Sequence, residues 1–519
     1  MILFRSSRRH TNRLTLPSLR RRLGFTREPM SLDEAESDDR DGRLKREQRL
    51  LAGRAEARSV SAYICRGPIG EETPLVPPSA RQARMPSRRT GDVLTPLGAI
   101  ATLSKGYFDV GVFSLPYAWK LGGLWVSFIG QFLIAAANWY GAHILARVAQ
   151  NVSTAHERTS LDYGHLVKKV CDESTIDSLR RRSKRWMYVV NVTVTLVQLG
   201  TCSVAMLFAS KTSLKLLGHW TSLTLSQFTV TTIVFVVVLL INLNTRVRVV
   251  SFFAMLSAAF FTLGTCSVLL HFWNMPNQWR SLPASGTVAD VVRFVGITTY
   301  SYQIQTMVLP VENKLEDPAD FLYGCGVLPT TTLLSTALMT AVGFFGYTAF
   351  GLQTMSTITL NLSPSPVLDV ISVCLVAQAI VGSPATLYVV CDMYSSGFRR
   401  KLVARFPSAA SRPLLVSAGF QSFWVCITYL MAATLPRLEL LMPLVGMTAG
   451  TLCGLVYPPV IELIQEWEAW AVHWPPARRW SMVGAHVAFA CLGLVVICVG
   501  LYVNVTQIYY ILFVESGSE

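Results

Sequence analysis

A chain of 519 residues that is 51% hydrophobic and only 15% charged, with mean hydropathy +0.40, holds more apolar side chain than one soluble core of this length needs. The surplus is expected to face lipid. The formal charge of +15 is unevenly spread, with roughly half of it before residue 92, and no HExxH, P-loop or nucleophile elbow points to an enzyme.

Residues 1–95 read as a disordered, basic cytosolic tail, rich in Arg, Ser and Pro. The tail lacks aromatic interleaving, so no nucleic-acid partner is expected. Met1 to Arg27 carries eight arginines and no acid, a composition shared by tails and transit peptides. Glu71-Glu72-Thr73-Pro74-Leu75-Val76 looks like an acidic dileucine-type sorting signal, and the expected location is a vacuolar or lysosomal membrane, with the plasma membrane as the alternative.

From residue 96 to 512, runs of about 20 apolar residues follow one another, the length a spanning helix needs. Helices are expected near 97–117, 122–146, 187–210, 224–243, 249–272, 289–309, 327–350, 367–391, 415–435, 439–461 and 483–512, with 513–519 as a short tail. β-barrel strands would instead read as short alternating segments. Eleven spans place the termini on opposite sides. The loops then assigned to the cytosol carry Arg180, Arg181, Arg182, Lys184 and Arg185, later Arg399, Arg400, Lys401 and Arg405, and finally Arg478 and Arg479. The opposite loops carry little beyond Lys211, Lys215, Arg280 and Arg437. This asymmetry predicts a cytosolic N-terminus and a lumenal or extracellular C-terminus. The acidic set Glu312, Glu316, Asp317 and Asp320 reads as a solvated cytosolic loop.

Substrate sites in such proteins form where spanning helices break and expose half-helix ends. The first span holds Ser104-Lys105-Gly106-Tyr107-Phe108-Asp109-Val110-Gly111, then Leu115-Pro116; the sixth holds Thr298 to Thr306, closed by Pro310. A broken helix offers N–H groups to a carboxylate and C=O groups to an ammonium. Spans one and six are five apart, as an inverted five-helix repeat requires. A lone intramembrane acid such as Asp109 marks a proton relay, an ion site or a contact to a substrate ammonium. The alternative is that Asp109 pairs with Lys105 one turn earlier and only pins the helix.

Lys105-Gly106, Gly111 and Leu115-Pro116 resemble the first-helix pattern of the amino acid/auxin permease family, especially its proton-coupled amino acid transporters. Leu161-Asp162-Tyr163-Gly164, Gln198-Leu199-Gly200, the segment Met307 to Lys314, Gly346-Tyr347, Leu435-Pro436-Arg437 and Pro458-Pro459 resemble further family segments in order. The resemblance implies an all-α polytopic membrane protein of LeuT type: two inverted five-helix repeats plus one helix, with helices one and six broken. It implies secondary active transport of small neutral amino acids by alternating access, driven by a proton, with sodium as the alternative ion. An amino-acid sensor on the same fold is the alternative function. The chain departs from the family pattern at Asp109 and Val110, where a Gly and a Thr are usual, at Thr102, where animal members have a His, and at Gln303, where a Glu is usual. Asp109 is read as replacing the carboxylate lost at Gln303. We expect Lys105, Gly106, Asp109, Gly111, Ser301, Tyr302 and Gln303 to contact substrate, and Asp109, Ser383 and Thr386 to hold the coupling ion. Gln198 and Gly446 are expected to pack. Partners are an amino acid and the lipid bilayer, with a monomer expected and neither cofactor nor metal.

Overall fold

The structure is a computed structural model describing residues 94–156, 161–221, 225–243, 247–406 and 413–511. The basic tail, apart from Leu94 and Thr95, the Glu71 to Val76 signal and residues 513–519 lie outside it, and the described residues all belong to one compact unit.

The first apolar segment is two helices, α1 (Pro96–Tyr107) and α2 (Gly111–Gly122). Thr95 caps α1 by accepting a bond from the Gly98 N–H at 3.2 Å, and Pro96 occupies the first turn, where a missing N–H costs nothing. Each half rises only about 18 Å, so neither alone crosses a hydrocarbon core of about 30 Å. The long α3 (Leu124–His156) follows, then the amphipathic α4 (Tyr163–Glu173), started by Asp162 accepting from the His165 N–H at 2.7 Å. Helices α5 (Asp177–Trp220), α6 (Gln227–Asn242) and α7 (Val247–Trp273) come next. The sixth apolar segment is again divided, into α8 (Val288–Ser301) and α9 (Gln305–Glu312).

The second half contains α10 (Ala319–Leu322), α11 (Val327–Phe350), α12 (Ile358–Asn361), α13 (Pro366–Arg405) and α14 (Pro413–Thr434). A continuous helical stretch follows: α15 (Leu438–Val445), π-helical turns over Gly446–Gly450 and Leu452–Val456, and α16 (Tyr457–His473). The last helix is α17 (Pro476–Tyr509). Several helices outrun their apolar windows, α5 most of all, because hydropathy detects only the apolar centre while polar ends continue the backbone ladder.

Among the described residues, seven helical stretches are long and apolar enough to cross a membrane. In their most apolar windows, 83% of α5 is buried but only 17% of α17. A helix apolar on all faces yet exposed on most of them needs lipid around it, and Leu492, Leu494, Val495, Val499 and Val505 of α17 are all exposed. The core instead gathers around α2, α5 and α15, where Phe113, Trp119, Leu207, Phe208, Leu441 and Met442 are no more than 1% exposed.

Glycines set the closest approaches. A methyl group added at Gly141 on α3 would overlap the Gly454 carbonyl oxygen. Pro458 has no N–H to offer that carbonyl four residues earlier, which favours the widened π turns here. Gly446 meets the Gly296 carbonyl oxygen, so its expected packing role holds.

One end of the bundle is tied together by the segment after α9. Leu94 donates its N–H to the Lys314 carbonyl at 2.7 Å and accepts from the Glu316 N–H at 3.2 Å. Asn313 clasps the backbone of Leu161 from both sides, at 2.8 and 3.3 Å, and Gln150 donates to the Pro318 carbonyl at 2.7 Å. The acidic set in this region is not a uniformly solvated loop, since Glu312 is only 1% exposed. Asn313→Ala removes two hydrogen bonds to the Leu161 backbone. It is expected to cost about 1–3 kcal/mol and to speed proteolysis near α4, read as a lower melting temperature and earlier cleavage of the purified protein. An unaltered melting curve and digestion pattern would refute the clasp.

Candidate functional site

The two helix breaks lie against each other. Tyr107 ends α1, and Phe108, at φ −88° and ψ 73°, leaves helical geometry. In the sixth segment Tyr302 and Ile304 flank the corresponding gap between α8 and α9. A Cβ at Gly111 would stand 2.7 Å from Ser301 Oγ and 3.0 Å from the Tyr300 ring, so only glycine lets the breaks meet.

A cavity of about 70 Å³ opens at this meeting point. Lys105, Gly106, Asp109, Gly111, Ser301, Gln303, Ser383 and Thr386 all line it, bringing eight expected residues together. Tyr302 does not. Its side chain is fully buried, its ring sits edge-on to Tyr107 at 6.0 Å between centroids, and its hydroxyl accepts from Gln131 Nε2 at 3.3 Å. Gln131 also accepts from Trp119 Nε1 at 2.6 Å and donates to Thr340 at 3.0 Å, which fixes Tyr302 in a packed polar network away from the cavity.

Tyr300 takes the place expected for Tyr302. Its hydroxyl donates to Asp109 Oδ2 at 3.3 Å. The i, i+4 pairing of Asp109 with Lys105 does not form, because the break after Tyr107 takes Asp109 off the helix that carries Lys105. Lys105 Nζ is buried without a hydrogen-bond partner, as are both amide atoms of Gln303 and Oε1 of Gln378. An unmet buried polar group costs about 1–3 kcal/mol, so these atoms suit a polar ligand.

Other walls come from residues that were not among the expected site residues. Gln198, Thr201 and Cys202 of α5, Ser257 of α7 and Gln378 of α13 reach the cavity. Gln198, expected to pack, also donates to Thr306 across the break at 3.4 Å. The available signal was a glutamine inside an apolar run, present at both 198 and 378. Ser383 is already engaged, accepting from Asn242 Nδ2 at 3.0 Å and donating to the Ile380 carbonyl at 2.8 Å. Beside the break, Phe108 stacks on Phe261 at 4.8 Å and Phe261 contacts Phe113 at 5.5 Å, an apolar wall against the polar one.

The family profile described as "Transmembrane amino acid transporter protein" matches residues 92–506, which contain both breaks and every cavity residue. The chain belongs to this transporter family. Among its relatives is a Caenorhabditis elegans protein named "Probable amino acid transporter skat-1", 45% identical over 425 residues, or 82% of this chain and 92% of that protein. Another is the Drosophila melanogaster "Proton-coupled amino acid transporter-like protein pathetic", 23% identical over 382 residues, covering 71% of this chain and 76% of the relative. The membership and the apolar helices together make this a multi-pass membrane protein of an amino acid transporter family.

Proposed function

We propose that the protein is a secondary active transporter of small neutral amino acids, working by alternating access and coupled to protons. The observation that carries this reading is the polar cavity at the junction of two interrupted helices, walled by unsatisfied donors and acceptors. Space for one water takes roughly 10–15 Å³ on this scale, so 70 Å³ suits a ligand of about five or six non-hydrogen atoms. Glycine and alanine have that size. The half-helix ends at Tyr107 and Gly111, and at Ser301 and Gln305, supply oppositely polarised backbone groups for a zwitterion.

In this reading eleven spans form two inverted repeats of five plus one helix, and the divided first and sixth segments are the equivalent broken helices. The N-terminus is cytosolic, and the membrane is that of an acidic organelle, or the plasma membrane. Asp109 carries the coupling proton, with Ser383 and Thr386 offering hydroxyl oxygens on the facing helix. The Drosophila relative named as proton-coupled supports the choice of ion.

Reconstitution into liposomes with a panel of labelled amino acids tests the proposal. Accumulation of glycine, alanine or serine under an inward proton gradient is the expected result. Absence of uptake of every amino acid under both proton and sodium gradients would sink it.

A further inference from the structure

We propose that Lys105 binds the substrate carboxylate and, through Asp109, makes that binding depend on the proton. The inference rests on the transport reading above and assigns the chemistry within its site.

Among the titratable residues lining the cavity are Lys105, Tyr107 and Asp109 from the first segment, Cys202 from α5 and Tyr300 from α8. The facing positions on α7 and α13, including Ser257, Gln378, Ser383 and Thr386, carry no charge. Lys105 and Asp109 are therefore the charged pair that a ligand in this space meets. They are not equivalent. Asp109 already has the Tyr300 hydroxyl at 3.3 Å, whereas Lys105 Nζ is buried with no hydrogen bond. The ammonium is the atom that waits for a partner, and a carboxylate is the partner that satisfies both its charge and its donors.

With Asp109 ionised, its negative charge lies close to where a substrate carboxylate must sit, and the two anions compete for one cation. Protonating Asp109 removes the competitor and leaves Lys105 unopposed. Proton and substrate then strengthen each other's binding, as linkage requires of any pair of ligands with a favourable coupling free energy. This arrangement loads proton and substrate together without a bond between the proton-carrying group and the substrate. It also selects for the carboxylate: an amine or a carboxamide of equal size brings a positive or neutral group against Lys105 and leaves it unpaired.

The test uses the purified full-length chain in detergent, with glycine, alanine and serine as probes and their carboxamides as controls, and binding read from ligand-induced shifts in melting temperature. Wild type is expected to prefer at least one acid over its amide by tenfold or more, the ratio for a charge-assisted contact of about 1.5 kcal/mol or more. Its affinity for that acid should be higher near pH 5 than near pH 7, where carboxylates outside the protein stay ionised. Lys105→Gln should bring acid and amide to similar affinities and flatten the pH dependence; Lys105→Arg should keep both preferences. Gel filtration of each variant separates these results from misfolding. Equal binding of acid and amide by wild type overturns the proposal even if Lys105→Gln does not fold, and so does a folded Lys105→Gln that keeps the wild-type ratio. If wild type takes up amino acids in liposomes yet Lys105→Gln retains its selectivity, only the role of Lys105 falls. If wild type binds none of the probes and transports no amino acid, both readings fall together.

Discussion

Asp109→Asn is expected to abolish the response of uptake to an imposed proton gradient while leaving the protein folded. Asparagine has the shape of a protonated aspartic acid and keeps an oxygen for the Tyr300 hydroxyl, now 3.3 Å from Asp109, but it cannot exchange a proton. The side chain lies in the break, outside both flanking helices, so the substitution disturbs no helical ladder. In liposomes, wild type should accumulate substrate against its gradient when the outside is acidic. The variant should only equilibrate it, a loss of tenfold or more in accumulation if one proton's worth of gradient energy drives each cycle, about 1.4 kcal/mol for one pH unit. Matching melting temperatures for the two proteins would show that the loss is functional. Unchanged pH dependence in the variant would remove Asp109 from coupling. This experiment is independent of Lys105, because any mechanism that carries the proton on Asp109 predicts it.

The second large effect is on packing. Gly141→Ala places a methyl on the Gly454 carbonyl oxygen, a backbone atom that no rotamer change can move aside. Overpacking of a well-filled core costs about 1–3 kcal/mol, and more where backbone must shift. The Gly454 neighbourhood also holds Asn138 and Gln305, joined at 3.0 Å, so the shift propagates to the broken sixth segment. The expected result is a lower melting temperature together with reduced uptake. Gly484→Ala is the control: a methyl there meets no other group within 4 Å and replaces a helical glycine, so its stability should be unchanged or slightly raised. Equal stability of both variants would mean that α3 and the π-helical turns do not touch as closely as described.

The two substitutions probe different kinds of information in the chain. Asp109 was legible as a candidate from its neighbours: an acid between glycines in an apolar run breaks the helix and has few inexpensive structural roles. Gly141 was not, since a glycine in an apolar helix has the same local meaning whether it faces lipid or another backbone. The cluster of Arg147, Glu462 and His486 was hidden for the same reason. It buries Glu462 at 2% and His486 at 0% exposure, with Glu462 at 3.1 Å from Arg147 and 2.7 Å from His486. Its members come from α3, α16 and α17, separated by up to 339 positions in the numbering of the chain.

By itself, the sequence determined that this protein is helical and membrane-embedded, where two of its apolar segments break, and which family it belongs to, because apolar runs, helix-interrupting residues and ordered motifs are local properties. The tertiary structure decided the rest of the site. It turned Tyr300 into the cavity and Tyr302 out of it, because residues two apart at a helix end point to nearly opposite sides and only the packing of α8 decides which side meets the cavity. It left Lys105 and Asp109 in one cavity without a hydrogen bond from the ammonium, since i, i+4 contact geometry exists only within one continuous helix. It added Gln198 and Gln378 as walls, a choice that depends on how α5 and α13 are rotated against the breaks, which is set by packing around the whole bundle.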